Sequence, residues 1–362
     1  MKINKNHNGK EFSSFFRIVG KVEKHTAGIG EESVRKPIFE STITTTNKPR
    51  KVLQFDVATT KYNKLKVELA GMEKEKSYVY SSADKKGVNV NWNDRFDKNK
   101  YPGKTYHLIA EPWDLTEEFG NKVKEDDWVE VKGKYEFSSF TNEEGKTFPI
   151  VKRIISSVEL LEQSEEEGKV QVKDSKSGKY KVFDYVCDFE SENFQEINTF
   201  TLEIGIKSIY QDEDTKDTKV NAVFLDYGKT SSTINDLSLM VYYKEVEEGT
   251  PLADAFAKLN KLDFVKVQGV DNNRPEFALI DNVKEEQDND PFANVKEQVT
   301  SKKMAISGNK KGLEITGVIK NSWIKEMLKE EEVENLFPEN EIEEIFKDDT
   351  EVVNDDIENM FN

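Results

Sequence analysis

A seven-residue phrase occurs twice in this chain. Asp127-Trp128-Val129-Glu130-Val131-Lys132-Gly133 returns as Asp263-Phe264-Val265-Lys266-Val267-Gln268-Gly269. Apolar residues hold alternate positions in both copies, which is the period of a half-buried strand. The closing glycine marks a bulge or sharp bend, the device that curls a sheet toward a barrel. The flanks repeat as well. Prolines open two short helical stretches upstream, 112–119 and 251–256, and return strands are expected downstream at 148–158 and 277–283. A helix feeding a strand, a Gly bend and a return strand make the last third of a small Greek-key barrel. Two copies predict two barrels.

A chain of 362 residues has room for both, with 36% hydrophobic and 34% charged residues. That hydrophobic share is low for one compact globule, so part of the chain is expected to stay solvated. No apolar run approaches a membrane span, and Met1-Lys2-Ile3-Asn4-Lys5-Asn6-His7 has no signal-peptide character. The single cysteine, Cys187, fits a reducing, cytoplasmic setting, and His7, His25 and His107 are the only histidines. No cofactor or metal is expected from this inventory.

The net charge of -17 is unevenly spread. Residues 1–100 hold 21 Lys and Arg against 12 Asp and Glu, while residues 281–362 hold 10 against 22. A basic beginning and an acidic end suit a polyanion-binding domain joined to an acidic interaction tail. Solubility alone is the plainer reading of the same asymmetry.

Along the chain, residues 1–162 read as a basic, aromatic barrel with strands at 15–22, 52–59, 65–69 and 106–110, and a long mobile loop or hairpin at 24–50. Residues 163–179 read as a linker. A second barrel spans 180–284, with strands at 200–206, 220–225 and 237–243. Residues 285–338 read as a second linker with a short strand at 313–319 and a helix from 322 to 336, stopped by Pro338. Residues 339–362 read as a disordered acidic tail. The fold class is thus mainly β: two Greek-key barrels in tandem, a small helical segment and the tail.

Aromatic and basic residues interleave in the first unit. A single strand exposes base faces and a charged backbone together, so its groove needs flat rings for stacking and Lys or Arg for phosphates. The stacking candidates are Tyr62, Tyr78, Tyr80, Trp92, Phe96, Tyr101, Phe137 and Phe140. The phosphate candidates are Arg17, Lys64, Lys66, Lys85, Lys86, Arg95, Lys98, Lys152 and Arg153. Some of these rings must belong to a core, and Trp128 and Phe264 read that way. The basic residues between Tyr78 and Tyr101 argue against a buried strand there. A protein-binding loop is the rival reading of that stretch.

In the tail, Asp355, Asp356, Ile357, Met360 and Phe361 place apolar side chains at the end of an acidic peptide. Such a peptide can dock its apolar groups in a partner pocket rimmed by Lys and Arg. Tandem barrels, a basic aromatic first unit and this ending resemble OB-fold single-stranded-DNA-binding proteins, most nearly divergent forms from bacteriophages and mobile elements. The resemblance covers about 12–283 as architecture and 339–362 as tail. Bacterial members end in acidic residues and Ile-Pro-Phe. Here Ile357 and Phe361 are separated by Glu358-Asn359-Met360, and Asn362 follows. The resemblance implies OB-like barrels, a role in DNA replication, recombination and repair, and recruitment of replication or recombination proteins by the tail. It also implies the host cytoplasm if the chain is phage-encoded. RNA is left open as a second strand partner.

Catalytic signatures are poor. Gly103-Lys104-Thr105, Gly145-Lys146-Thr147 and Gly228-Lys229-Thr230 imitate the end of a phosphate loop, but Lys98, Phe140 and Val223 stand where its first glycine belongs. Asp188, Glu190, Asp212 and Asp214 are the carboxylates a metal nuclease would use, and solvated turns explain them more simply. The expectation is therefore a nonenzymatic single-stranded-DNA-binding protein. The rival is a protein-interaction adaptor or virion structural protein; an accessory or catalytic subunit of a replication enzyme is the third reading.

Overall fold

A computed structural model describes residues 12–28, 33–142, 145, 147–166, 168–173, 178–227, 232–280 and 303–327. It explains every element of the repeated phrase. Asp127 and Asp263 each close a turn, accepting a hydrogen bond from the backbone N–H three residues earlier: Lys124 at 2.7 Å and Asn260 at 3.1 Å. The preceding residues, Asp126 and Leu262, both have positive φ, +72° and +78°. The strand then starts, and at its glycine the register slips by a bulge in both copies, between Lys132 and Gly133 and between Gln268 and Gly269. A phenylalanine of the neighbouring strand covers each glycine. A Cβ on Gly133 would stand 2.6 Å from Phe16, and one on Gly269 2.7 Å from Phe200. The glycine is required by that close approach.

The first barrel opens with β1 (Ser14–Glu23). The following loop carries the small pair β2 (Thr26–Ala27) and β3 (Val34–Arg35) and then β4 (Phe39–Ile43), which pairs with β5 (Pro49–Ala58). β6 (Lys64–Met72) pairs with β5. Next comes an inserted three-stranded sheet of β7 (Lys76–Ser81), β8 (Lys86–Asn91) and β9 (Tyr106–Leu108), in the order β8-β7-β9. Helix α1 (Pro112–Lys122) starts on its proline, whose fixed φ suits the first turn. The phrase lies in β10 (Trp128–Thr141), and β11 (Thr147–Gln163) returns beside it. β10 pairs with β1, and β11 closes the barrel by one parallel step onto β6.

β12 (Lys169–Lys173) pairs with β11, and β13 (Tyr180–Asp184) pairs with β12. The second barrel repeats the wiring with β14 (Ile197–Gln211), β15 (Thr218–Tyr227), β16 (Ser232–Val241), the short α2 (Leu252–Phe256), β17 (Phe264–Ile280) and β18 (Lys303–Val318). β14 pairs with β15 and β17, β18 pairs with β17, and β18 closes in parallel onto β16. Five strands, a helix before the fourth and a parallel closure between the third and fifth make each unit an OB-like barrel.

Three expected boundaries change. Residues 163–179, read as a linker, hold β12, and β13 joins that ribbon on the first barrel's side. The return strand of the second barrel is β18, not 277–283, which continues β17 as far as Ile280. The second barrel therefore reaches past 284 into the stretch read as a linker. Residues 322–327 are not helical. Ile324 bridges to Phe264, and Met327 is buried beneath. The rest of the expected helix, 328–336, lies outside the described residues, as does the tail.

The two barrels are joined edge to edge. β1 pairs antiparallel with β14 over Ser14–Val19, and Phe16 faces Phe200. These are the two residues that cover the repeated glycines, so a local two-fold axis runs through that pair. One apolar core continues across the junction, where Phe137 of β10 packs 4.9 Å from Phe224 of β15. Asp271 of β17 is fully buried there. It accepts hydrogen bonds from Arg153 at 2.6 and 2.7 Å and from the Tyr135 hydroxyl at 2.9 Å, both on the first barrel. Asn63 and Asn198 donate to its carbonyl at 3.2 and 2.7 Å. Burial, and then the negative charge of Asp271, push the Tyr135 phenol well above its ordinary value.

Candidate nucleic-acid interface

In a five-stranded OB barrel the second and third strands, with the first and last hairpin loops, form the oligonucleotide face. Here those strands are β5 and β6. Alternation sends Leu65, Val67 and Leu69 inward and leaves Lys64, Lys66 and Glu68 facing out. Apart from Arg50, exposed near the start of β5, the charged residues on this face are paired with one another. Lys64 pairs with Glu23 at 2.6 Å, Lys66 with Glu68 at 2.9 Å and His25 with Asp56 at 2.9 Å. Lys152 lies 3.9 Å from both Glu68 and Glu136. Burial raises the Asp56 carboxyl against the pull of His25. No exposed aromatic ring stands on this outer face among the described residues of β5 and β6.

Several candidates prove structural. Phe137 is a core residue, and Arg153 is held by Asp271, where it cannot reach a phosphate. Trp92 is buried, edge-on to Trp113 at 6.5 Å, with the Arg95 guanidinium 4.0 Å above its ring. Arg95 itself donates to both oxygens of Asp114 at 3.0 and 2.9 Å, which fastens the inserted sheet to α1. Tyr101 is half-buried and gives its hydroxyl proton to the Arg95 carbonyl. Arg17 pairs with buried Glu130 at 2.6 Å. Burial alone would raise the Glu130 carboxyl, but hydrogen bonds from Lys132 and Arg17 hold it below the usual range.

Strand parity could have found two of these. Phe137 is in phase with Val129, Val131 and Tyr135, and Arg153 with Ile155, all buried. Both therefore belong to the inward set.

The remaining candidates stay on the surface. Tyr62, Tyr78, Phe96 and Phe140 are exposed, and Tyr80 is half-buried. Lys85, Lys86 and Lys98 are exposed, with no carboxylate partner among the described residues. They are not one cluster in the chain's elements. Tyr62 lies in the β5–β6 turn and Phe140 near the end of β10, whereas Tyr78, Tyr80, Lys85, Lys86, Phe96 and Lys98 all belong to the inserted sheet and its following loop. Residues 76–107 carry seven Lys and Arg against three Asp. That local excess matches the basic beginning noted in the sequence.

Three of the carboxylates considered for a nuclease, Asp188, Glu190 and Asp212, are engaged locally. Asp212 accepts from the backbone N–H groups of Asp214 and Thr215 at 3.0 and 2.8 Å, and these bonds, Thr215 first, hold its carboxyl low. Asp188 accepts from the Glu190 N–H at 2.9 Å, and Glu190 pairs with Lys61. Cys187 is half-buried, and burial pushes its thiol up to about 11. Asp355, Asp356, Ile357, Met360 and Phe361 lie outside the described residues. No described helix is long and apolar enough to cross a membrane.

A family model described as YorF matches residues 153–351, more than half of the chain. The chain belongs to the YorF family. The match includes all five strands of this YorF-family member's second barrel. No curated protein matches the chain. Among solved structures it is similar to the wild-type single-stranded DNA binding protein from Thermus aquaticus, at 11% identity and a TM-score of 0.34, over 73% of this chain and 87% of that one. A deletion mutant of the same Thermus aquaticus protein is similar at 11% identity and a TM-score of 0.34, over 73% of this chain and 88% of that one.

Proposed function

We propose that this YorF-family protein is a nonenzymatic single-stranded-DNA-binding protein acting in DNA replication, recombination or repair. It holds the strand by phosphate electrostatics and base stacking, without strong sequence preference. One observation carries the reading: exposed rings and lysines with no carboxylate partner among the described residues share the basic sheet appended to the first OB-like barrel. Flat rings beside free cations are what a single strand requires, and a duplex hides the base faces that the rings would use. The paired lysines of β5 and β6 form a reserve, because exposed ion pairs contribute only about 0–1 kcal/mol and a phosphate can replace the carboxylate. In this reading the segment 339–362, with 10 Asp and Glu against one Lys, recruits partner enzymes through Ile357, Met360 and Phe361.

Titration of a fluorescein-labelled oligo-dT with the full chain tests the proposal. Tight binding at low salt, weaker binding to duplex and release by NaCl are expected. Neutralisation of three phosphates by Lys85, Lys86 and Lys98 gives a slope of log Kobs against log [NaCl] of roughly -2. Absence of binding at low salt refutes the reading.

The adaptor reading has one observation in its favour. β13 is an edge strand paired only with β12 among the described residues, and Tyr180 and Val182 on it are exposed. Such an edge can accept an added strand from another protein. Capture of a partner that is lost on substituting Val182 by Pro, with no oligo-dT binding by the parent chain, would favour it.

A further inference from the structure

The geometry points to the outer face of the inserted β8-β7-β9 sheet, rather than the β5–β6 face of the barrel, as the subsite where bases of single-stranded DNA stack, with Tyr78 and Tyr80 each holding one base. This inference rests on the proposed function and specifies its site.

The sheet is two-faced. Val79, Val90 and Tyr106 turn one way and make a small core of its own with Val88, Tyr101 and Leu108. Strand alternation sends Tyr78 and Tyr80 to the other face, on the central strand β7. Their cross-strand neighbours are Asn89 opposite Tyr78, with exposed Ile109 on its other side, and Gly87 and His107 on either side of Tyr80. Gly87 has a particular role. A Cβ there would stand 2.7 Å from Tyr78 Cε1 and closer still to its hydroxyl end, so the tip of the Tyr78 ring reaches over the glycine. The absence of a side chain at Gly87 thus makes room for the outer end of the Tyr78 ring. Tyr78 keeps 44% of its surface exposed in that position.

Spacing and charge complete the match. Residues two apart on a strand are separated by about 6.7 Å, twice the roughly 3.4 Å rise per nucleotide of a duplex strand. Two rings at that distance suit successive bases of a drawn-out strand better than a stacked helix. Lys85 and Lys86 stand at the β7–β8 turn and Lys98 in the 3-10 turn that follows the sheet's second strand, all without carboxylate partners among the described residues. On strands β5 and β6 of the barrel, Lys64 and Lys66 are matched by Glu23 and Glu68 and no exposed ring lies on the strands themselves; the exposed rings Tyr62 and Phe140 lie apart, in the β5–β6 turn and near the end of β10. A strand seeking both charge and π-surface finds them together on the inserted sheet.

The test compares oligo-dT binding by the full-length parent and five variants. Tyr78→Ala/Tyr80→Ala should weaken binding at least about 30-fold, two stacking contacts at the low end of their range, with an unchanged melting temperature. Tyr78→Phe/Tyr80→Phe keeps the rings and should bind within about twofold of the parent. Gly87→Ala should weaken binding by displacing Tyr78, yet have no further effect when added to Tyr78→Ala. Ultraviolet cross-linking to oligo-dT should label the tryptic peptide 77–85. If the parent binds and the double alanine variant binds equally well, the subsite is wrong while the proposed function stands. Tighter binding of oligo-rU than oligo-dT overturns DNA as the occupant. If the parent itself fails to bind, both fall.

Discussion

Replacing Asp271 by Ala should destabilise the whole molecule, not merely loosen a surface. The carboxylate is completely buried and is the acceptor for both Arg153 N–H groups, at 2.6 and 2.7 Å, and for the Tyr135 hydroxyl at 2.9 Å. The bonds that Asn63 and Asn198 make to the Asp271 carbonyl would survive, because they use the backbone. What changes is that a buried guanidinium loses its counter-charge. Breaking one side of a buried ion pair costs about 3–5 kcal/mol, a large part of a typical stability of about 5–15 kcal/mol. Urea unfolding followed by tryptophan fluorescence measures it. The companion Arg153→Met/Asp271→Leu removes both charges and should recover most of the loss, since apolar replacement of a buried pair is often neutral. A cost below about 1 kcal/mol for Asp271→Ala, or a double variant no better than the single, would refute the account of the junction as a desolvated pair.

Three other outcomes follow from the same structure. Phe137→Ala should cost about 3–5 kcal/mol of stability and Phe140→Ala under about 0.5 kcal/mol, as chemical denaturation would show, because the first fills the shared core and the second is exposed. Cys187 should react slowly with iodoacetamide at pH 8: a thiol pushed up to about 11 by burial is thiolate only about once in a thousand molecules there, and rapid labelling would contradict its burial. The folded chain should lose stability as pH rises beyond about 10. Burial, and then the charge of Asp271, raise the Tyr135 phenol, so unfolded chains release that proton first and are favoured from the ordinary phenol range upward; Tyr135→Phe should flatten this alkaline limb in a pH series of urea midpoints.

The duplicated phrase was sufficient to announce two barrels because every residue in it has a local task. Its aspartate caps a turn, its alternating apolar residues face a core, and its glycine seats a phenylalanine ring. Those are short-range consequences of spacing and side-chain size, so they can be read in one dimension. The same parity also marked Phe137 and Arg153 as inward-facing, although composition alone made them look like surface contacts. The closing strand β18 was harder to recognise, because its partners β16 and β17 lie far back in the chain and its own pattern is rich in Lys and Gly.

What the sequence determined by itself was the β class, the duplication and the basic, aromatic character of the first unit. Tertiary structure decided which cations are free. Arg153 meets Asp271, 118 positions further along the chain, and Arg17 meets Glu130, 113 positions further, so only the folded chain reveals that these charges are already used. It also decided that Tyr78 and Tyr80 share the face of the inserted sheet opposite its small core, with Tyr78 reaching over Gly87, while Trp92 is buried. The physical reason is that charge and aromaticity belong to residues, whereas availability belongs to contacts between segments that the chain brings together only on folding.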